Sequence, residues 1–473
     1  MDGCKLSSCN KKSSKANVSV SDSSLSRIAK ASASAKVGTS DSASVAVHGA
    51  NLAANSEVVK AKGAKKVPKA LIVLSFMGPG IIAAMAGNDA GGIATYSTAG
   101  ASFGFATLWA IPLMCLMLVA VQLSASRMGA VTGKGFASLI RERFGIRLTA
   151  LAMLTLLVGN ISTTFSEFAG ISAGMELFGV PKYASIPIAA LVIWFLLVKG
   201  NYKRIEKVFL ALSFVFISYV IAAFLAKPNW EEVAIATFSV NFMSSSNYIS
   251  LIIAMIGTTI APWMIFFAQS NVVEKGITPK DFFGSKIDVI SGTIAACLVA
   301  WFIIVTTGST LFPADIQIDS ASDAAGALAP FAGEYATVLF AIGLSSASFL
   351  AACVLPLTTA YVICEAFGWE AGVDFTWKEA PFFKGIITFT IIFSALIVMI
   401  PGVNLLGIML IAQFVNGIIL PVLLSFMAII AADENIMGNY VCKLPVRIAL
   451  WAVVIVVALL TLLYFVMEIF GIG

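Results

Sequence analysis

Apolar residues run through this chain in long blocks, and polar positions collect in the short gaps between them. From Ala70 to the end the blocks recur, each near the length of about 20 residues that one helix needs to cross a hydrocarbon core. They predict eleven helices, over residues 70–98, 103–126, 149–178, 184–199, 206–227, 247–272, 286–312, 333–367, 385–401, 403–431 and 446–470. The block 333–367 is long enough to include a helical extension, and 385–401 meets 403–431 at Pro401-Gly402, a tight turn. Residues 1–66 differ: they are rich in Ser, Ala and Lys and lack Phe, Tyr and Trp. Such a segment has too little apolar surface to fold and is expected to be disordered. It also lacks the apolar stretch of a signal peptide.

Two blocks are interrupted internally. The first breaks at Gly87-Asn88-Asp89-Ala90-Gly91-Gly92, and the sixth at Thr258-Thr259-Ile260-Ala261-Pro262-Trp263. A Gly pair costs a helix about 1 kcal/mol per residue, and Pro262 removes a backbone donor and clashes with the preceding turn. The breaks occupy corresponding positions in two five-helix halves, residues 68–228 and 245–431, with 446–470 as an extra helix. Paired breaks of this kind point to a transporter whose site lies between inverted repeats. The expected architecture is all-α, with helices 1 and 6 discontinuous.

Composition agrees. The 473 residues are 59% hydrophobic and 12% charged, with mean hydropathy +0.95, where a soluble domain carries about 25% charge. All but two of the 30 Lys and Arg residues (Lys182 and Lys227) fall on one side of the expected topology, among them Arg141, Arg143, Arg147, Lys203, Arg204, Lys207, Lys275, Lys280, Lys378, Lys443 and Arg447. The positive-inside rule then makes the N-terminus cytoplasmic and the C-terminus extracellular in a cell membrane. The basic clusters read as topology, so the expected partner is the lipid bilayer and not nucleic acid. The seven cysteines form no C-x-x-C pair, and the one histidine is His48. No P-loop, dinucleotide fingerprint or nucleophile–histidine pair occurs. The chain is therefore expected to be no enzyme, to hold no cofactor and to work as a monomer driven by a gradient.

Asp89 is the only charged residue between Lys69 and Arg127. A carboxylate in hydrocarbon costs roughly 2.5–3.5 kcal/mol, and no Lys or Arg lies in the interior of an expected span to pair with it. A cation is the natural partner. Gln413 and Asn416, one turn apart, offer amide oxygens; interhelical hydrogen bonding is the competing reading for both. Backbone carbonyls at Ala86 and Thr258, just before the breaks, lose their helical donors and are candidate ligands. Glu167, amid Thr163, Thr164 and Ser166, reads either as lining an aqueous path or as a hydrogen-bonded structural acid.

The run Gly78–Gly92 resembles the first helix of the NRAMP (natural-resistance-associated macrophage protein) metal transporters. The similarity continues through Gly129-Ala130-Val131-Thr132-Gly133-Lys134, Ser166-Glu167-Phe168, Ala261-Pro262-Trp263, and Ala412-Gln413 with Pro421, and covers residues 68–470. It implies a LeuT-like five-plus-five inverted repeat with one extra helix. It also implies that Asp89, Gln413, Ala86, Thr258, Ala261, Gly92 and Asn416 surround the metal, with Asn88, Thr164, Glu167 and Trp263 on the pathway. The departures matter as much. The family's Asn and Pro after the Asp are Gly92 and Ala90, and its sixth-helix Met-Pro-His is Ala261-Pro262-Trp263. Ala268 and Gln269 stand where a second histidine is expected. Its third-helix Asp is Thr164, and Thr388 and Phe389 stand near its ninth-helix arginine.

Losing a thioether removes the ligand that favours soft ions. What remains suits a hard ion that keeps several waters, as Mg²⁺ does. The pattern is similar to the NRAMP-related magnesium transporter branch, and loss of the imidazoles points to uniport without protons. Three alternatives stand: an Al³⁺ or transition-metal carrier of the same family, a non-transporting membrane receptor with a vestigial site, and an organic-solute symporter. The last is disfavoured because Asp89 would repel a substrate carboxylate.

Overall fold

The computed structural model describes residues 88–199, 217–280, 282–329, 333–373 and 375–471. The Ser-rich 1–66 segment, Ala86 with the first part of the first block, and residues 200–216 lie outside this set. The described residues form α1 (Ala90–Phe103), α2 (Ala110–Thr132), α3 (Phe136–Glu176), α4 (Lys182–Lys199), α5 (Ile217–Leu225), α6 (Trp230–Phe238), α7 (Ser246–Thr259), α8 (Pro262–Glu274), α9 (Phe282–Thr310), α10 (Ala321–Gly326), α11 (Ala336–Phe367), α12 (Pro381–Met399), α13 (Leu405–Ile430), α14 (Glu434–Met437) and α15 (Leu444–Phe470). Among the described residues eight helical segments are long and apolar enough to cross a membrane, counting α7 with α8 as one; α4 is a shorter apolar helix.

Several boundaries differ from the hydropathy reading, each for a physical reason. Gly91 and Gly92 lie inside α1, and the chain opens at Asn88-Asp89 instead. The glycines serve close packing and a cap, described below. α3 starts at Phe136, with a non-helical Gly145 (φ 74°) dividing it; Arg141, Glu142 and Arg143 hide its first turns from an apolar-block reading. α6 and α10, in the expected connections, are too short and too mixed in polarity to show as blocks. α12 starts at Pro381, so Lys384 falls in its first turn, where it is buried. Its ammonium donates to the Val373 and Val198 carbonyls at 2.8 and 3.3 Å. A base is thus embedded in a helix that was expected to begin at residue 385, four residues later.

The packing is set by small residues, which let helices approach where lipid provides no hydrophobic drive. A Cβ on Gly100 would come within 2.6 Å of the Ile304 carbonyl and 2.9 Å of the Gly308 amide, so α1 lies close on α9. Gly170 of α3 rests against Ala90 of α1 and Ser348 of α11. Gly257 of α7 and Gly417 of α13 face each other's backbones. α3 packs mainly on α11 and α13, and α7 on α13. These approaches bring the start of α1, the middle of α3, the α7–α8 break and the middle of α13 to one place.

Candidate functional site

α1 begins at Ala90 because Asp89 caps it. Asp89 is extended (φ −74°, ψ −176°), and its Oδ1 accepts from the Gly92 amide at 2.8 Å, satisfying one of the free amides of the first turn. Glu167 of α3 reaches the same turn: its Oε2 accepts from the Ala90 amide at 3.3 Å. Two carboxyl groups thus accept from amides of the same first turn, at the positive end of the α1 dipole. Asp89 is 4% exposed and Glu167 fully buried. Glu167 Oε1 finds no partner among the described residues.

The second break is built differently. α7 ends at Thr259, Ile260 and Ala261 leave helical geometry, and Pro262 starts α8. Pro262 has no N–H, so the Thr258 carbonyl cannot receive the bond that a continuous helix would give it. This is also the negative end of the α7 dipole, where a cation is favoured. Ala261 is the N-cap of α8 and provides no side-chain cap. Thr258 Oγ1 has no partner among the described residues.

Gln413 joins the two breaks. Its side chain occupies the space a Cβ on Gly91 would take, and its backbone carbonyl abuts Gly257. Asn416 Nδ2 donates to Gln413 Oε1 at 3.1 Å and to Thr163 Oγ1 at 2.8 Å. Asn416 Oδ1 and Gln413 Nε2 are unpartnered among the described residues, and both side chains are fully buried. A Cβ on Gly159 would meet Asn416 Oδ1 at 3.0 Å and Pro262 Cγ at 3.7 Å, so Asn416 sits beside the α7–α8 break. Interhelical hydrogen bonding and proximity to both breaks therefore coexist in this pair.

The other expected residues are placed as follows. Asn88 lines a cavity of about 20 Å³ with Tyr96, Met114, Thr259, Met264 and Cys297. That volume holds about one water. Tyr96 Oη and Thr259 Oγ1 are 2.8 Å apart in its wall, tying α1 to α7. Thr164 turns back on its own helix, donating to the Asn160 carbonyl at 2.6 Å. Trp263 is buried against Ala261, Met264, Ala351 and Leu355, and its N–H is unpartnered among the described residues. Ala86 is outside the described set. Sequence reasoning missed Tyr96 and Thr259, whose pairing links residues 163 positions apart. A buried hydroxyl beside each break was the available signal.

An all-helical membrane protein with a carboxylate at one helix break and freed carbonyls at another has the features of a secondary transporter. The family Nramp, described as natural resistance-associated macrophage protein-like, matches residues 80–467, and the chain belongs to it. It is 25% identical over 383 residues to "Divalent metal cation transporter MntH" of Verminephrobacter eiseniae, which covers 78% of this chain and 84% of that protein. The crystal structure of the Eremococcus coleocola manganese transporter mutant H236A superposes with TM-score 0.69 at 19% identity, covering 87% of this chain and 90% of that one. The MhsT structure in complex with L-phenylalanine gives TM-score 0.55 at 14% identity, over 82% and 97%. The fold is the LeuT-like one, and these relatives are transporters, not enzymes.

Proposed function

We propose that this chain imports divalent cations across the cell membrane with Mg²⁺ as its cargo, by alternating access around Asp89, as an uncoupled uniporter. The donor set carries the reading. Asp89 heads α1, which packs on α7, and the break residue after α7 is Ala261, without sulfur. The remaining donors are amides, hydroxyls and carbonyls, all hard oxygen ligands suited to Mg²⁺. Among the described residues no cluster of three His, Cys, Asp or Glu could strip and hold a transition metal. The names of the MntH relatives support divalent cargo.

Asp89 is the proposed direct ligand, with the Thr258 and Ala86 carbonyls as backbone ligands and Gln413 and Asn416 contacting the ion or its water. Gly92 and Ala261 leave room for that water. Asn88, Thr164, Glu167 and Trp263 border the route. Loading is proposed to part the helices around these residues; that is the alternating-access step. Residues 1–66 are proposed to stay cytoplasmic and the C-terminus extracellular, with one chain as the working unit.

A second reading has its own support. Met114, Met264 and Cys297 line the cavity beside Asn88, and sulfur favours transition metals. Radiotracer or dye flux in liposomes separates the two. The Mg²⁺ reading expects Mg²⁺ uptake that Asp89→Ala abolishes. Unchanged Mg²⁺ flux in Asp89→Ala overturns it, and Mn²⁺ uptake without competition from Mg²⁺ supports the second.

A further inference from the structure

Sulfur is concentrated one layer away from the oxygen donors. Cys297 of α9 lines the small cavity beside Asn88 together with the thioether residues Met114 of α2 and Met264 of α8. Met114 Sδ is 3.5 Å from Thr259 Oγ1, the hydroxyl that Tyr96 also contacts. On its other side Cys297 borders a larger apolar groove of about 370 Å³, which it shares with Cys115 of α2. Neither thiol is in a disulfide. Three sulfur-bearing side chains from three helices, Met114, Met264 and Cys297, therefore line one small cavity, and Cys115 lies in the groove next to it. None of them is at the position where the family resemblance puts a thioether, which here is Ala261.

We propose that this sulfur cluster is a second metal site, distinct from the Asp89 site, that takes a thiophilic d¹⁰ cation such as Cd²⁺ or Cu(I). Thiolate and thioether are the ligands that select such ions, and the cavity has room for one ion in place of one water. Each cysteine that binds loses its proton to solvent as its metal–sulfur bond forms, so binding weakens as pH falls. An ion held there bridges α2, α8 and α9 next to the α7–α8 break. It therefore arrests the rocking of the helices without occupying the cargo site. The proposal rests on the Mg²⁺ reading of the cargo, since a transition-metal cargo would use these same sulfurs.

The test uses full-length protein carrying Cys4→Ser and Cys9→Ser, which removes the two N-terminal thiols from the readout. Cd²⁺ binding is measured by equilibrium dialysis with excess Mg²⁺ and by the ultraviolet thiolate-to-cadmium charge-transfer band. One equivalent is expected, and it persists in Asp89→Ala. Removing an outer-shell partner alone costs a metal site about 10–100-fold in affinity, so Cys297→Ser and Met264→Leu are each expected to lose at least that much. N-ethylmaleimide labelling of Cys115 in the unmutated groove is expected to be blocked by Cd²⁺, a check that needs no variant at the cluster. Cd²⁺ bound as tightly by Cys297→Ser, or lost in Asp89→Ala, overturns the second site; so does unprotected Cys115. The Mg²⁺ flux of Asp89→Ala tests the cargo reading separately, so the two failures are distinguishable.

Discussion

Two glycines against the same glutamine do different work, and substitution separates them. A Cβ on Gly91 meets the Gln413 side chain, which can shift by giving up its bond from Asn416. A Cβ on Gly257 meets the Gln413 backbone carbonyl and the Gly417 amide, which cannot. Gly91→Ala is therefore expected to leave the thermal midpoint of purified protein nearly unchanged while cutting metal flux, because the displaced amide leaves the site. Gly257→Ala is expected to destabilise the fold by about 1–3 kcal/mol, the usual range for overpacking, seen as a lower midpoint in the same melt. Equal midpoints for the two variants would contradict this division. Asp89 and Gln413 were legible in the sequence because a charge and an amide inside apolar blocks need partners. The contact of Glu167 with the Ala90 amide spans 77 positions, and no local pattern encodes it.

At the scale of elements, the α7–α8 break was readable because proline chemistry is local: the missing donor of Pro262 ends one helix and its fixed φ starts the next. The α1 start was readable only in part. Glycine signals both helix breaking and close packing, and here Gly91 packs on Gln413 while Gly92 gives its amide to the Asp89 cap. α6 stayed hidden because an Asn229 cap followed by Glu231 and Glu232 breaks the apolar run on which the block reading depends. The break itself makes a testable claim. Pro262→Ala restores an N–H that can bond the Thr258 carbonyl and so consume a proposed ligand. Metal flux is expected to fall while expression and midpoint hold, since Ala261 and Ile260 keep their non-helical geometry only under the constraint of proline. Wild-type flux in Pro262→Ala would show that the Thr258 carbonyl is not used.

For the whole molecule, the question is what drives accumulation. The described residues hold no imidazole, and the two carboxyls at the head of α1 accept from the Ala90 and Gly92 amides. Lys384, the buried base in α12, is engaged with the Val373 and Val198 carbonyls, not with either acid. Under the proposed uniport a divalent ion can still be concentrated. The membrane potential contributes about 4.6 kcal/mol per 100 mV to two charges, more than three decades at 1.4 kcal/mol per decade. Liposomes clamped with potassium and valinomycin should thus show Mg²⁺ uptake that rises as the interior is made negative. A pH dye inside the vesicles should stay flat, and a proton ionophore should leave the rate unchanged. Proton influx driven by Mg²⁺ would restore coupling and return Glu167 to a proton-carrying role; flux indifferent to voltage would require a counter-ion that the charge layout does not supply.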